Sequence, residues 1–186
     1  MLNAVKRGAL AAAASLTLVS VAGAQGRPLE LGVDAGAVFG LGSESSVNIT
    51  LPATRARVGF FLEDTRWSVE PALGLSYDKV EGQDGIFTYD LELGVLYHFR
   101  PFVVASGDQD EVIARVNAAY VRPFVGFTGF TGGDTDDNEF SLGAGLGIKI
   151  PWRQQIAWRL EANAGYGFDN EAFRLGALAG VSFFTR

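Results

Sequence analysis

The feature that most constrains this chain is an alternation of apolar and polar side chains, which begins near residue 29 and recurs in eight segments. A period of two indicates a β-strand with one face in an apolar environment, whereas an amphipathic helix repeats about every 3.6 residues. Pieces rich in Gly, Asp, Asn and Pro separate the segments, as expected of turns and loops. The predicted strands are Leu29–Leu41, Arg55–Leu62, Trp67–Tyr77, Ile86–Phe99, Val116–Thr128, Phe140–Ile150, Ile156–Phe168 and Ala172–Phe184.

Each predicted strand has one apolar face and one face of charge and glycine. In the fourth strand the alternate residues from Phe87 to Phe99 are all aromatic or aliphatic, and no charge interrupts the corresponding face of the other seven. The opposite faces carry the strand glycines together with six acidic and six basic side chains. These charges are Glu30, Asp34, Arg55, Arg57, Glu70, Asp90, Glu92, Arg122, Lys149, Arg159, Glu161 and Arg174.

Two architectures use strands of this kind. A soluble barrel or sandwich buries the apolar face, whereas a membrane barrel turns that face to lipid and lines its lumen with the polar face. Glycine relieves crowding on the concave inner face of a small barrel but only weakens a strand on a solvated outer face. Aromatic side chains gather toward both ends of the apolar faces, which is typical of the two interfacial girdles of outer-membrane barrels. The predicted girdle residues are Phe39, Trp67, Tyr77, Phe87, Tyr97, Phe99, Phe127, Trp158, Tyr166, Phe173 and Phe183.

The N-terminus predicts export. Lys6 and Arg7 precede an uncharged run that ends in Ala-Gly-Ala at residue 24, the small-x-small pattern that signal peptidase cleaves. An uncleaved anchor is the alternative, but the run is shorter and less apolar than the roughly 20 residues that a spanning helix needs. We therefore predict a cleavable signal peptide at 1–24 and a β-barrel domain at 25–186.

Composition excludes several functional classes. The absence of cysteine excludes disulfides and cysteine-ligated metals, and it suits an exported membrane barrel better than a small disulfide-dependent domain. Of the 15 Lys and Arg residues the leader holds two, so 13 remain against 21 Asp and Glu, a net charge of −8. Such a polyanion is not expected to bind nucleic acid.

No later stretch is long and apolar enough for a spanning helix, so a chain that enters a membrane must do so as a closed sheet. The predicted fold is an all-β, eight-stranded antiparallel up-and-down transmembrane β-barrel.

An even number of strands places both mature termini on one side, which in an outer membrane is the periplasm. The remaining connections then divide into outer loops near 42–54, 78–85, 129–139 and 169–171 and short periplasmic turns at Glu63–Arg66 and Pro151–Gln155. The third periplasmic connection, Arg100–Arg115, is long, and Asp108 with Glu111 resembles a helix start before Val112 and Ile113. We predict a short helical turn there.

The export signal, the eight amphipathic strands and the face of glycine and charge together resemble the OmpA/OmpX-type family of small outer-membrane barrels, over residues 27–186. The last strand, with apolar residues at alternate positions from Phe173 to Phe183, is similar to the C-terminal signal that the outer-membrane assembly machinery recognises. The resemblance implies location in a bacterial outer membrane. It also implies two partners, membrane lipids and the assembly machinery. We predict a monomer and no cofactor.

The lumen of an eight-stranded barrel is only wide enough for side chains to fill it. Equal numbers of acidic and basic residues therefore predict a salt-bridged polar core, and a gated ion path through the same charges is the alternative. The turns on either side of the third strand set a register in which Arg57 and Glu92 both lie opposite Ala72 and near Glu70. This register predicts an Arg57–Glu70–Glu92 cluster.

Two further groups of residues are candidate sites. His98, the single histidine, lies on the polar face near the periplasmic end of the fourth strand. Acyl hydrolysis would require a serine and an acid beside it, and no serine is placed there, so we predict no catalytic residue. Acidic loop residues are candidates for weak divalent-cation binding, although their spacing does not match an EF-hand, and no metal site is predicted. They are Asp78, Glu81, Asp84, Asp134, Asp136, Asp137 and Glu139.

Three functional hypotheses follow. The leading one is a non-enzymatic integral outer-membrane protein that contributes to envelope structure or surface interaction. The second is a narrow pore for ions or small solutes. The third is an outer-membrane enzyme that modifies lipid.

Overall fold

A computed structural model describes residues 28–41, 47–62, 65–78, 86–105, 112–114, 116–131, 137–169 and 171–185. Eight strands form one closed barrel in which neighbours in sequence are neighbours in space and every pair is antiparallel. The first and last barrel strands pair from Leu29↔Thr185 to Leu41↔Phe173, which closes the sheet. The strands are β1 Leu29–Leu41, β2 Val47–Phe61, β3 Trp67–Asp78, β4 Ile86–His98, β5 Val103–Ala105, β6 Val112–Ala114, β7 Ala118–Thr131, β8 Asp137–Arg153, β9 Ile156–Gly167 and β10 Ala172–Thr185. Of these, β5 and β6 form a separate two-stranded sheet. The predicted eight-stranded antiparallel barrel is confirmed.

Two barrel strands, β2 and β8, are longer than predicted by six residues or more. β2 begins at Val47 and not at Arg55, so the predicted loop 42–54 is wrong over residues 47–54. The pairing of β2 with β1 shifts between Gly36 and Val38, and such a bulge changes which alternate residues face inward. The alternation in the sequence therefore breaks where the strand continues. Likewise β8 begins at Asp137, within the predicted loop 129–139, and ends at Arg153.

Prolines coincide with interruptions of the strand pairing. The pairing of β2 with β3 has a gap beside Pro71, and that of β4 with β7 has one beside Pro123. The pairing of β8 with β9 shifts at Pro151. Because proline has no N–H to donate, it is tolerated in a sheet mainly at edges and bulges. Such irregularities allow a sheet to bend locally, as a narrow barrel requires.

The predicted helical turn in Arg100–Arg115 is wrong over its described residues. Val112 and Ile113 belong to β6, which pairs with β5, for example through Val104↔Ile113. β-branched side chains favour extended backbone, and this preference prevails over the helix-start pattern of Asp108 and Glu111, which themselves lie outside the described residues. The predicted signal peptide also lies outside the described residues.

The barrel has two ends, which we name by the chain segments they carry. The terminal end holds residue 28, the turn at 65–66, the β5–β6 segment, the turn Gln154–Gln155 and Thr185. The loop end holds Leu41, Asp78, Thr131 and Gly167, the last residues of β1, β3, β7 and β9.

The barrel has its apolar side chains outside and its charges inside. Along β9 and β10 exposed and buried residues alternate, and outward residues such as Val33 (59% exposed) and Leu146 (65% exposed) lie open on the surface. Inward residues such as Glu30, Arg122 and Lys149 are fully buried. Within the described ranges no helix is long and apolar enough to cross a membrane.

Candidate functional site in the barrel interior

Ten inward-facing charges form one connected set of ion pairs, which we call the central network. They come from β1, β2, β3, β4, β7, β8 and β9, and each faces inward because it occupies the polar alternate positions of its strand. Five are acidic and five are basic, so the set is neutral. Its members are Glu30, Asp34, Arg55, Arg57, Glu70, Glu92, Arg122, Lys149, Arg159 and Glu161.

Arg57 joins the acidic residues of β1 in the half of the network nearer the terminal end. Its Nε lies 3.0 Å from Asp34 Oδ2, and its Nη1 pairs with Glu30. Its Nη2 donates to Ser182 Oγ at 2.7 Å. The guanidinium lies directly over Gly32, where a Cβ would overlap it. Glycine at position 32 therefore provides the space that the arginine head occupies.

Glu161 is the acidic centre of the other half. Arg122 Nη2 lies 2.9 Å from its Oε1, and Arg55 Nη2 lies 3.4 Å from the same oxygen. Arg159 pairs with Oε2, and the Tyr120 hydroxyl donates to that oxygen at 2.8 Å. Charge-assisted hydrogen bonds of this kind are stronger than neutral ones, so one buried carboxylate holds three guanidinium groups in place.

The predicted Arg57–Glu70–Glu92 cluster is only partly present. The register is as predicted, with Arg57 and Glu92 both opposite Ala72, and Arg57 Nη1 lies 3.5 Å from Glu70 Oε2. Glu92, however, pairs with Arg55 at 2.6 Å and with Arg122 at 2.8 Å. A register drawn on a flat sheet identifies neighbours along the wall, but in a closed barrel a long arginine also reaches across the lumen.

A second, smaller group of charges lies toward the loop end. Thr128 Oγ1 donates to Asp90 Oδ1 at 3.1 Å, and Arg174 pairs with Glu139. The placement of Glu139 in an outer acidic loop is wrong, because Glu139 lies in β8 and its side chain is buried inside the barrel. Asp78 and Asp137 lie at strand ends, and the other acidic candidates, Glu81, Asp84, Asp134 and Asp136, lie outside the described residues. Within the described part of the chain, no three His, Asp or Glu side chains are arranged to hold a metal ion.

The terminal end of the lumen is filled by an aromatic cluster that the strand pattern did not predict. Phe61, Phe102 and Phe184 are buried, and the rings of Phe102 and Phe184 lie 5.2 Å apart. Lys149 Nζ lies 5.4 Å from the Phe61 ring, 5.6 Å from the Tyr120 ring and 5.8 Å from the Phe102 ring. We call Phe61, Phe102, Tyr120, Phe184 and Lys149 the terminal plug.

The sequence holds part of the signal for this plug. Phe61, Tyr120 and Phe184 occupy inward alternate positions of their strands, so they could have been identified from the alternation along those strands. Phe102 could not, because it belongs to the segment after β4 and enters the barrel end only through the path of that segment.

His98 is buried at the edge of the terminal plug. Its Nδ1 lies 3.1 Å from the Arg66 carbonyl oxygen, and its ring stacks on Phe61 at 5.7 Å. Neither His98 Nε2 nor the buried Ser68 hydroxyl has a hydrogen-bond partner within the described residues, so these atoms do not form a serine–histidine pair. The surroundings of His98 are those of a packed side chain.

Most of the predicted girdle residues are exposed on the outer surface. Tyr97 and Phe127 are half-buried, and the side chain of Tyr77 lies outside the described residues. At the terminal end Trp67 contacts Tyr97 at 4.8 Å, and at the loop end Phe140 stacks on Phe168 at 5.9 Å. The prediction omitted Trp152, Phe140 and Phe168, which are exposed at strand ends.

Comparison with solved structures identifies the fold. Neisserial surface protein A superimposes with a TM-score of 0.61 at 12% identity, covering 83% of this chain and 96% of that chain. The N-terminal β-barrel domain of Pseudomonas aeruginosa OprF gives 0.56 at 16% identity, covering 83% and 96%. The attachment invasion locus protein Ail of Yersinia pestis, in complex with a heparin analogue, gives 0.51 at 9% identity, covering 85% and 98%. No family model and no curated protein matches the sequence itself. At these identities the likeness shows the fold, which is the one implied by the resemblance to OmpA/OmpX-type barrels.

Proposed function

We propose that this chain, which has the fold of the small eight-stranded outer-membrane barrels, is a non-enzymatic integral protein of a bacterial outer membrane. Its proposed role is to contribute to envelope structure or to surface interaction through its loop end. Both mature termini would lie in the periplasm, and membrane lipids and the outer-membrane assembly machinery would be its partners.

One observation carries this proposal, namely that apolar side chains cover the outside while charged side chains fill the inside. Leu146, Val33 and Leu75 are each more than half exposed, and they belong to a belt that surrounds the barrel. Water-soluble monomers rarely expose apolar patches larger than a few hundred Å². In hydrocarbon the same belt is favourable, and all barrel backbone groups can pair within the closed sheet.

A structural role is favoured over a pore because side chains fill the lumen. The central network occupies its middle with oppositely charged groups in direct contact, and the terminal plug fills one end with packed rings. An ion that crosses would have to separate buried charge pairs, and breaking one such pair typically costs about 3–5 kcal/mol.

Cell fractionation combined with a heat-modifiability gel tests the membrane assignment. The protein should be recovered with the outer membrane, and the unheated folded barrel should migrate differently from the heated, unfolded chain. A soluble periplasmic protein would refute the assignment.

Planar-bilayer recording tests the closed interior. The purified, refolded protein should give no reproducible single-channel steps. Reproducible steps that disappear when the protein is omitted would favour the narrow-pore hypothesis instead.

A further inference from the structure

A β-bulge near the end of β8 changes the direction of one arginine. The pairing of β8 with β9 shifts between Pro151↔Ala157 and Arg153↔Ile156, which leaves Trp152 as an extra residue on β8. Without the bulge, alternation from the inward Lys149 would turn Arg153 inward as well. The bulge places Arg153 opposite an outward position, and its side chain is exposed.

The exposed arginine lies over Trp152, which is one of a pair of stacked, exposed indole rings. Trp152 and Trp158 are 58% and 45% exposed, and their rings stack with centroids 5.5 Å apart at an interplanar angle of 29°. The guanidinium carbon of Arg153 lies 5.7 Å from the Trp152 ring centroid. Every other cation–ring contact in the described part involves a buried cation inside the barrel.

The turn after Arg153 is anchored by a backbone hydrogen bond, and Arg153 has no anionic partner in the described part of the chain. The Phe184 N–H donates to the Gln155 carbonyl oxygen at 2.9 Å, which ties the turn after Arg153 to β10. No carboxylate among the described residues forms an ion pair with Arg153. A guanidinium held over an aromatic face keeps the N–H groups at its edge free to bind two oxygens of one anion.

We infer that Arg153, Trp152 and Trp158 form a binding site for the phosphate group of a membrane phospholipid, an inference that rests on the proposed membrane location. The site lies where the apolar belt meets the terminal end, so acyl chains can lie on neighbouring outward residues such as Leu160 while the phosphate reaches Arg153. Indole rings favour this boundary because they combine a large apolar surface with one N–H donor. The positive charge selects anionic phospholipids over zwitterionic ones.

Native mass spectrometry of the refolded protein in non-ionic detergent, titrated with phosphatidylglycerol, measures this site directly. R153Q should weaken binding of the first lipid about fivefold, the effect of one basic side chain at an anionic lipid surface. R100Q is the matched control, since Arg100 is exposed at the same end and makes no ring contact in the described part of the chain. It should change the affinity less than twofold.

Fluorescence supplies an independent measurement in vesicles. The protein has three tryptophans, so a W67F variant reports on Trp152 and Trp158 alone. Brominated phosphatidylglycerol should quench this emission more than brominated phosphatidylcholine, and R153Q should remove the difference.

The outcomes separate this inference from the proposed function. If the wild-type barrel inserts into vesicles but R153Q and R100Q bind phosphatidylglycerol equally well, the lipid site is refuted while the membrane assignment stands. If the barrel does not insert, both fail. Displacement of the lipid by inorganic phosphate would show a site for free anions and would also overturn the inference.

Discussion

Replacement of Glu161 by Gln tests whether the central network stabilises the barrel. The substitution keeps the size of the side chain but removes the charge that faces Arg55, Arg122 and Arg159. A network of five acidic and five basic groups would then carry one uncompensated positive charge in the middle of the lumen.

The expected loss follows from the burial of these groups. Glu161 is 4% exposed, and Arg122 and Arg159 are at most 1% exposed, so solvent cannot replace the lost interaction. Removing one partner of a buried ion pair typically costs about 3–5 kcal/mol. At about 1.4 kcal/mol per factor of ten, the equilibrium constant for folding should fall by at least about two powers of ten.

Equilibrium unfolding in urea, followed by tryptophan fluorescence in lipid vesicles, measures this loss. E171Q is the matched control, since Glu171 is exposed in the turn before β10 and its substitution should change the free energy of unfolding by no more than about 0.5 kcal/mol. The double variant E161Q/R122Q restores equal numbers of charges and should recover part of the loss. If E161Q is as stable as E171Q, the ion pairs contribute nothing to folding and the reasoning is refuted.

Three further predictions concern the outer belt, the terminal plug and a turn. Leu146→Arg places a charge in the middle of the belt and should destabilise the membrane-inserted barrel by about 2–4 kcal/mol. Leu41→Arg at the loop end should cost less than about 1 kcal/mol. Equal costs in urea titrations would show that the belt does not face hydrocarbon. Phe102→Ala should lower stability by about 3–5 kcal/mol through lost packing, and an unchanged gel transition temperature would show that Phe102 does not pack inside the barrel. Glu171 has a φ of 49°, a conformation that glycine adopts without strain. Glu171→Gly should therefore raise the free energy of unfolding by up to about 1 kcal/mol. A lower unfolding midpoint in urea would contradict this.

The positions of the charges in the central network could be predicted from the sequence, but their ion pairs could not. The alternation along each strand identified every charge of the network as inward-facing, since each lies on an alternate position of a strand with an uninterrupted apolar face. The alternation could not assign the ion pairs, and Glu92 pairs with Arg55 and Arg122 rather than with Arg57. Glu139 was missed because β8 begins earlier than the apolar alternation indicated.

The sequence by itself determined the number of barrel strands, their antiparallel order and the face that the charged side chains of the eight predicted strands occupy. These are local properties, because the direction of a side chain along a strand follows from its position alone and short connections make consecutive strands neighbours. Only the tertiary structure decided which charges meet across the lumen, that Phe102 enters the barrel from outside any barrel strand, and that Arg153 faces outward over the Trp152 ring. Closure of the sheet brings distant strands within reach of one another, and bulges such as that at Trp152 reverse the direction of the residues beyond them, so neither effect can be read from a strand taken alone.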